Sequence, residues 1–249
     1  SVAQLNHPNI VRLYDLYSEY STYISVLELV KGDTLQSLIQ PGTPFPPALV
    51  SNIIRQIAEA LSYAHSLGVV HGNLNPADCI VTENNFVKLL DFGILSPSMI
   101  TIQNQAPKKL FGSALYASPE LISNEAVSPA SDVYALGSIA FQLLTGKPPF
   151  EGENASELAE AHLHSPAPDI IKLVPDAPRR LATFVEQTLE KDPNKRLTDW
   201  PSIFELLERR EEQSYNRIQT KVISLTYPEY RSTEVEAALE SLARRIDPF

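Results

Sequence analysis

The sequence predicts an α+β fold in which a pair of strands precedes a larger helical body. Three observations carry this reading. Two runs rich in β-branched and aromatic residues, Ile10–Tyr17 and Tyr23–Val30, stand near the N-terminus and are separated by Ser18–Thr22. Apolar residues then recur at three- and four-residue spacing from about Ala48 to Ser66. Finally, Asp132–Thr145 is apolar nearly all round, the pattern of a helix enclosed by its neighbours. Strands first and helices afterwards is not the order of a repeated βαβ unit.

Taken in order, the chain opens with a short stretch ending at Asn6-His7-Pro8, followed by the two strand-like runs. Thr34–Ile39 reads as a short helix and Pro41–Pro47 as a proline-rich loop. In the long helix Val50, Ile53, Ile54, Ile57, Leu61 and Ala64 form the apolar face, and Gly68 supplies the stop. Val69–Val70, Cys79–Thr82 and Val87–Leu90 are short extended pieces. Ser96–Lys109 has no periodicity and reads as a mobile surface segment. Beyond the enclosed helix, further helices are expected at about Asn154–Leu163, Pro178–Glu190 and Asp199–Glu212. Thr233-Glu234-Val235-Glu236 fits a capping box that would open a last helix with Val235, Leu239, Leu242 and Ile246 on one face.

A chain of 249 residues is one large domain or two small ones and can bury a core without staples. The single Cys79 excludes an internal disulfide and a cysteine-rich metal site. No run of about 18 apolar residues suggests a membrane span, and the N-terminus lacks a signal-peptide pattern, so the expected location is cytoplasmic. The net charge of −10, from 20 Lys+Arg against 30 Asp+Glu, argues against a nucleic-acid surface, which needs a basic stripe. Twenty prolines punctuate the chain between periodic segments, with no repeat or low-complexity tract.

The most informative segment is His71-Gly72-Asn73-Leu74-Asn75-Pro76-Ala77-Asp78, followed by Asp91-Phe92-Gly93. It resembles the catalytic loop H-R-D-L-x-x-x-N and the metal-binding D-F-G turn of a protein kinase. Other motifs follow that family in order. His7-Pro8-Asn9-Ile10-Val11 matches the lead-in to its fourth strand, and Leu27-Glu28-Leu29-Val30-Lys31-Gly32 its hinge, with Leu27 as gatekeeper. Ala117-Ser118-Pro119-Glu120 stands for A-P-E, and Asp132-Val133-Tyr134-Ala135-Leu136-Gly137 for the start of the buried helix. Leu144-Thr145-Gly146-Lys147-Pro148-Pro149-Phe150 and Lys191-Asp192-Pro193-Asn194-Lys195-Arg196 complete the series.

The resemblance implies a protein-kinase-like fold of the bacterial serine/threonine type, mainly the helical C-terminal lobe. Residues 1–33 would be a remnant of the N-terminal lobe (strands 4 and 5 plus the hinge), 34–212 the C-terminal lobe, and 213–249 an extension with an amphipathic helix. The Gly-rich phosphate loop, the strand lysine and its partner glutamate would lie before Ser1. No G-x-G-x-x-G occurs, and no remaining lysine sits on a strand placed to meet the phosphates. The chain is therefore expected to be a piece of a longer protein or a truncated product.

The same resemblance implies roles for single residues. Asp91 would bind the magnesium that bridges two phosphates of ATP. Asn73 replaces the aspartate that takes the substrate hydroxyl's proton, and an amide cannot take one near pH 7. Asn75 replaces the lysine that faces the transferring phosphoryl group. Asp78 replaces an asparagine that binds a second metal, a task a carboxylate oxygen can perform; it reads equally as a solvent-facing loop aspartate. Gly72 removes the arginine that would pair with a phosphate on the activation segment, where Ser96, Ser98, Thr101 and Ser113 offer hydroxyls. Leu27, Glu28, Val30, Leu35 and Ile80 would contact adenine.

Glu120 and Arg196 would form a buried ion pair, and Asp132 would brace the catalytic-loop backbone. Leu13, His71 and Phe92 match one hydrophobic spine of the family, and Leu35, Ile80, Ile139 and Leu143 the spine that adenine completes; plain packing explains both. His71 reads as a packed histidine, and His65, His162 and His164 show no metal-ligand spacing.

Three functions follow from the resemblance: a pseudokinase with a regulatory or scaffolding role, a serine/threonine kinase whose N-lobe lies upstream, or a truncated lobe serving as an interaction module. ATP and magnesium binding is expected to be weak or lost. Residues 10–30 are expected to need an upstream lobe, a second copy or a partner protein to cover them.

Overall fold

The two N-terminal strands pair as expected, but with shifted ends. In a computed structural model, which describes residues 4–19, 22–92 and 114–208, β1 (Leu13–Glu19) and β2 (Thr22–Leu27) form an antiparallel hairpin. Its register runs from Leu13 opposite Leu27 to Glu19 opposite Thr22, with a bulge between Leu13 and Asp15. The connection is therefore shorter than Ser18–Thr22. Ile10 and Val11, expected in the first strand, instead join the helical body: Val11 N donates to Leu89 O at 2.8 Å, and Leu89 N donates to Asn9 O at 2.8 Å. Both apolar side chains are buried there. Asn9 Nδ2 fastens the segment further, donating to Val87 O and to Gln56 Oε1.

A second small sheet has the order β3 (Asp33–Thr34), β4 (Cys79–Val81), β5 (Val87–Leu89), all antiparallel. Helix α1 (Leu35–Leu38) follows β3 directly, with the Thr34 hydroxyl accepting from Ser37 N at 3.2 Å. Helix α2 (Pro47–Ser66) opens on a proline at its first position, where a missing N–H costs nothing. Its apolar stripe, Val50 through Ala64, is buried.

The second half is helical, as its periodicity predicts. In chain order come α3 (Pro119–Ile122), α4 (Pro129–Thr145), α5 (Ala155–His164), α6 (Ile170–Leu173), α7 (Arg179–Thr188) and α8 (Trp200–Leu207). Helix α4 begins three residues before Asp132, because Ser128 caps it in a reciprocal box with Ser131 and Pro129 takes the first position. It ends at Gly146, whose φ of 74° is a conformation that only glycine adopts without strain. Every residue from Ala130 to Leu144 is buried, so α4 is the axis of the body. It packs on α2, α6 and α7, and α8 closes the other side of α2 and α7. Truncating a side chain such as Leu136 or Ile139, both fully buried, costs about 2–5 kcal/mol.

Four short elements escape the sequence reading: β3, the Pro76–Asp78 turn of 3₁₀ helix, α3 and α6. None is long enough to show a period. The segment Ser96–Lys109, the hydroxyls at 96, 98, 101 and 113, and the capping box at Thr233 lie outside the described residues.

Candidate functional site

The loop from His71 to Asp78 and the turn at Asp91-Phe92 meet beside the small sheet. Their backbone is held from below by one side chain. Asp132, in the first turn of α4, accepts from His71 N at 2.8 Å through Oδ2 and from Gly72 N at 2.7 Å through Oδ1. His65, near the end of α2, donates Nε2–H to the same Oδ2 at 2.7 Å, and its ring lies against Trp200. Asp132 and His65 are both almost wholly enclosed. A buried carboxylate is tolerated when its lone pairs are filled this way. Gly72 has a φ of 81°, so the residue in the arginine position also relieves the turn of side-chain strain.

His71 is buried, and its Nε2–H donates to Leu90 O at 3.0 Å. Its ring packs on Phe92 with centroids 4.9 Å apart. Burial holds its pKa below the ordinary histidine value despite the nearby Asp132 and Asp91 charges, so the ring is neutral. It is a packed residue joining the loop to the Asp-Phe-Gly turn. Leu13, grouped with these two in the sequence reading, is half-buried at the start of the hairpin.

The outer half of the loop is organised differently. Asn73 is exposed. Asn75 is turned into the loop: Oδ1 accepts from Ala77 N at 2.9 Å, and Nδ2 donates to Asn73 O at 3.1 Å and to Asp78 Oδ2 at 2.5 Å. Asn75 N also donates to Asp78 Oδ2, at 3.3 Å. Together these bonds make a capping box around Pro76–Asp78. Asp78 is thus neither solvent-facing nor free. Burial, and next the negative charge of Asp91, push its pKa up to about 7, against the Asn75 hydrogen bonds that favour the charged form.

Asp91 is exposed, with a φ of 59° that is unusual for a residue other than glycine. Among the described residues no group of three or more His, Cys, Asp or Glu gathers as a metal site. Magnesium with nucleotide needs only one or two carboxylates beside phosphates and water. The pair Asp78 and Asp91, hard oxygen donors that repel each other when both are charged, fits such an ion.

Of the residues expected at adenine, Leu35 and Ile80 come from adjoining elements. Thr34 pairs with Ile80, which brings Leu35, fully buried, beside half-buried Ile80. Leu35 lies in one apolar cluster with Ile139 and Leu143. Glu28 is taken up otherwise: its carboxylate accepts from Lys88 Nζ at 2.8 Å and from Arg12 N at 3.2 Å. The Lys88 bond chiefly holds its pKa below the usual carboxylate range. Leu27 is 40% exposed at the end of β2, and Val30 is half-buried.

Glu120 and Arg196 meet in two bonds, Nη1 to Oε1 at 2.7 Å and Nη2 to Oε2 at 3.1 Å. Arg196 also donates to Glu190 O, Ala130 O and Lys191 O, so all five of its N–H groups are used. Burial alone would raise the Glu120 carboxyl, but hydrogen bonds from Arg196 and Ser131 hold it below its ordinary value. Sequence reasoning missed two neighbours, His65 and the Lys191 cluster. His65 lies four residues after Leu61 on the buried face of α2, a spacing that could have flagged it. Lys191 sits 3.7 Å over the Phe150 ring and donates to His162 O, an arrangement no local pattern announces.

A helical body with a loop braced by an aspartate from its central helix, next to an Asp-Phe-Gly turn, defines the architecture of a protein kinase C-terminal lobe. The model of the protein kinase domain family matches residues 1–210, and the chain belongs to that family. It is 37% identical over 196 residues to the serine/threonine-protein kinase PrkC of Bacillus subtilis, covering 78% of this chain and 30% of that protein. It is 38% identical over 202 residues to the probable serine/threonine-protein kinase PknB of Lactococcus lactis (80% and 32%). To the serine/threonine-protein kinase PknL of Mycobacterium tuberculosis it is 30% identical over 199 residues (80% and 50%). The chain thus spans between about a third and a half of the length of these relatives. Among the described residues no helix is long and apolar enough to cross a membrane.

Proposed function

We propose that this protein-kinase domain regulates or scaffolds another protein without transferring phosphate at a kinase-like rate. The observation that carries the reading is the outer half of the loop. Asn73 stands where the base would stand, and Asn75, where a lysine would face the phosphoryl group, spends its side chain on Asp78 and Ala77. Loss of general-base help alone is worth about 10²–10⁴ in rate. Loss of the cation removes electrostatic stabilisation, often the larger contribution. Asp91 and Asp78 would hold a magnesium ion, which when bound neutralises the phosphates of a nucleotide. Half-buried Ile80, backed by the enclosed Leu35, would floor the adenine.

A second reading is favoured by the relatives, which carry the name serine/threonine-protein kinase: an active enzyme whose N-terminal lobe lies upstream. Phosphate transfer from radiolabelled ATP by the full-length protein, with magnesium or manganese, separates the two. We expect no turnover near ~1 s⁻¹, the lower end of the kinase range. Turnover at that level establishes the second reading. Restoring Asn73→Asp and Asn75→Lys together is expected to raise transfer more than either change alone, since both act on one transition state.

The proposal includes a cover for the hairpin, an upstream lobe or a partner protein. Tyr14, Leu16, Tyr17, Ile24 and Leu27 are all exposed on it, and a two-stranded ribbon is marginal in water by itself. In the isolated chain, amides of β1 and β2 should exchange far faster than those of α4. Equal protection in a demonstrated monomer removes the need for a cover.

A further inference from the structure

We propose that Lys191 is a modification site, a nucleophilic amine that takes the acyl group of a small acyl phosphate. It lies where α5 meets α4, bonded to both, and shares no residue with the loop from His71 to Asp78. The proposal therefore goes beyond the reading of the catalytic loop and holds whether or not phosphate is transferred.

The half-buried amine is held by neutral groups. Lys191 Nζ donates to His162 O at 2.6 Å and to Tyr134 Oη at 3.2 Å, and lies 3.7 Å over the centre of the Phe150 ring. The Tyr134 hydroxyl is itself bonded to His162 Nδ1 at 3.0 Å. Among the described residues no carboxylate pairs with Lys191, whereas the exposed Lys172 and Lys195 pair with Asp169 at 3.7 Å and Asp192 at 3.6 Å. A second cation shares the site. The Arg196 guanidinium sits 5.0 Å over the Tyr134 ring, which Lys191 also overlies at 5.6 Å. Glu120, the carboxylate of the cluster, is bound to Arg196 instead.

A lysine becomes a nucleophile when it is desolvated or set beside another cation, and Lys191 is both. The Phe150 face and the two oxygen acceptors favour the ammonium form. Burial, and next the Arg196 charge, outweigh them and the opposing pull of Glu190, and bring the pKa down to about 8. At about pH 7.5 roughly a quarter of the side chain is then uncharged, against about one part in a thousand for an ordinary lysine. In the step itself the Nζ lone pair adds to the acyl carbon and a C–N bond forms. The C–O bond to phosphate breaks, phosphate leaves with the electron pair, and the nitrogen gives up one proton to solvent. The product amide carries one N–H and no charge, so it cannot donate to both His162 O and Tyr134 Oη.

The test incubates the full-length protein with acetyl phosphate and follows each lysine by peptide mass spectrometry. At about pH 7.5 Lys191 should be acetylated at least about tenfold faster than Lys172 and Lys195. Its rate should level off above about pH 8, while theirs keep climbing by about tenfold per pH unit. Burial holds Tyr134 protonated and brings the His162 pKa down to about 4, so neither titrates across this range. In concentrated urea the three lysines should react alike, because the cluster is gone while the local sequence remains. Acetylation of Lys191 no faster than that of Lys172 and Lys195 in the folded protein would overturn the proposal. So would a rate that climbs in step with theirs past about pH 9, or a preference that survives in urea.

Discussion

The inner and outer halves of the loop between His71 and Asp78 are held by different means. The inner half hangs on a residue far away in sequence: His71 and Gly72 both give their N–H to Asp132, which also binds His65. The outer half is held by its own side chains, Asn75 and Asp78, bonded to each other across one turn of 3₁₀ helix. The long-range brace serves the fold, because it satisfies buried backbone donors that no water can reach. The outer residues would be the ones to face a substrate. In this chain two of them face each other. The two halves of this loop are therefore anchored independently.

The sharpest way to break this comparison is to remove the anchor. Asp132→Ala leaves two backbone donors and His65 without their acceptor, so we expect a loss of about 3–5 kcal/mol of stability in urea unfolding, the scale for removing one partner of a buried charged network. Asn73→Ala, at an exposed position, should stay within about 0.5 kcal/mol. Similar losses for the two variants would show that the halves are not held differently.

A smaller effect should appear in the outer half as a pH dependence. The folded pKa of Asp78, about 7, lies above its ordinary value of 3.8. The folded chain then binds more protons than the unfolded chain between those values, so the Asp78 contribution to stability is full below the lower value and is lost as pH rises towards 7. Asp78→Asn does not titrate. Its stability relative to the parent should improve from about pH 4 to pH 7, by up to about 1.4 kcal/mol per pH unit, and level off above. Thermal melts at several pH values read this directly, and a difference constant across the range would show that the Asp78 environment does not penalise its charge.

Much of the architecture was readable in advance because its signals are periodic. The stripe of α2 and the all-round apolar pattern of α4 name a half-buried and an enclosed helix without reference to anything else in the chain. The elements that went unseen, β3, α3, α6 and the 3₁₀ turn, run two to four residues and carry no period. The exact start of β1 was also out of reach. Ile10 and Val11 look like strand residues and do pair, but with Leu89, a partner chosen by the open edge of β5 rather than by their own neighbours.

The residue types at the loop, and with them the missing carboxylate at position 73 and the missing cation at position 75, are a property of the sequence alone. Side-chain chemistry does not depend on where the chain goes. Tertiary structure alone decided what the remaining groups do. It buried Asp78 near Asp91, engaged Glu28 with Lys88, and added His65 to the Asp132 brace. Each of these is a contact between segments, or a burial produced by them, and neither a hydrogen bond across sixty residues nor the desolvation of a carboxylate leaves a mark on local spacing.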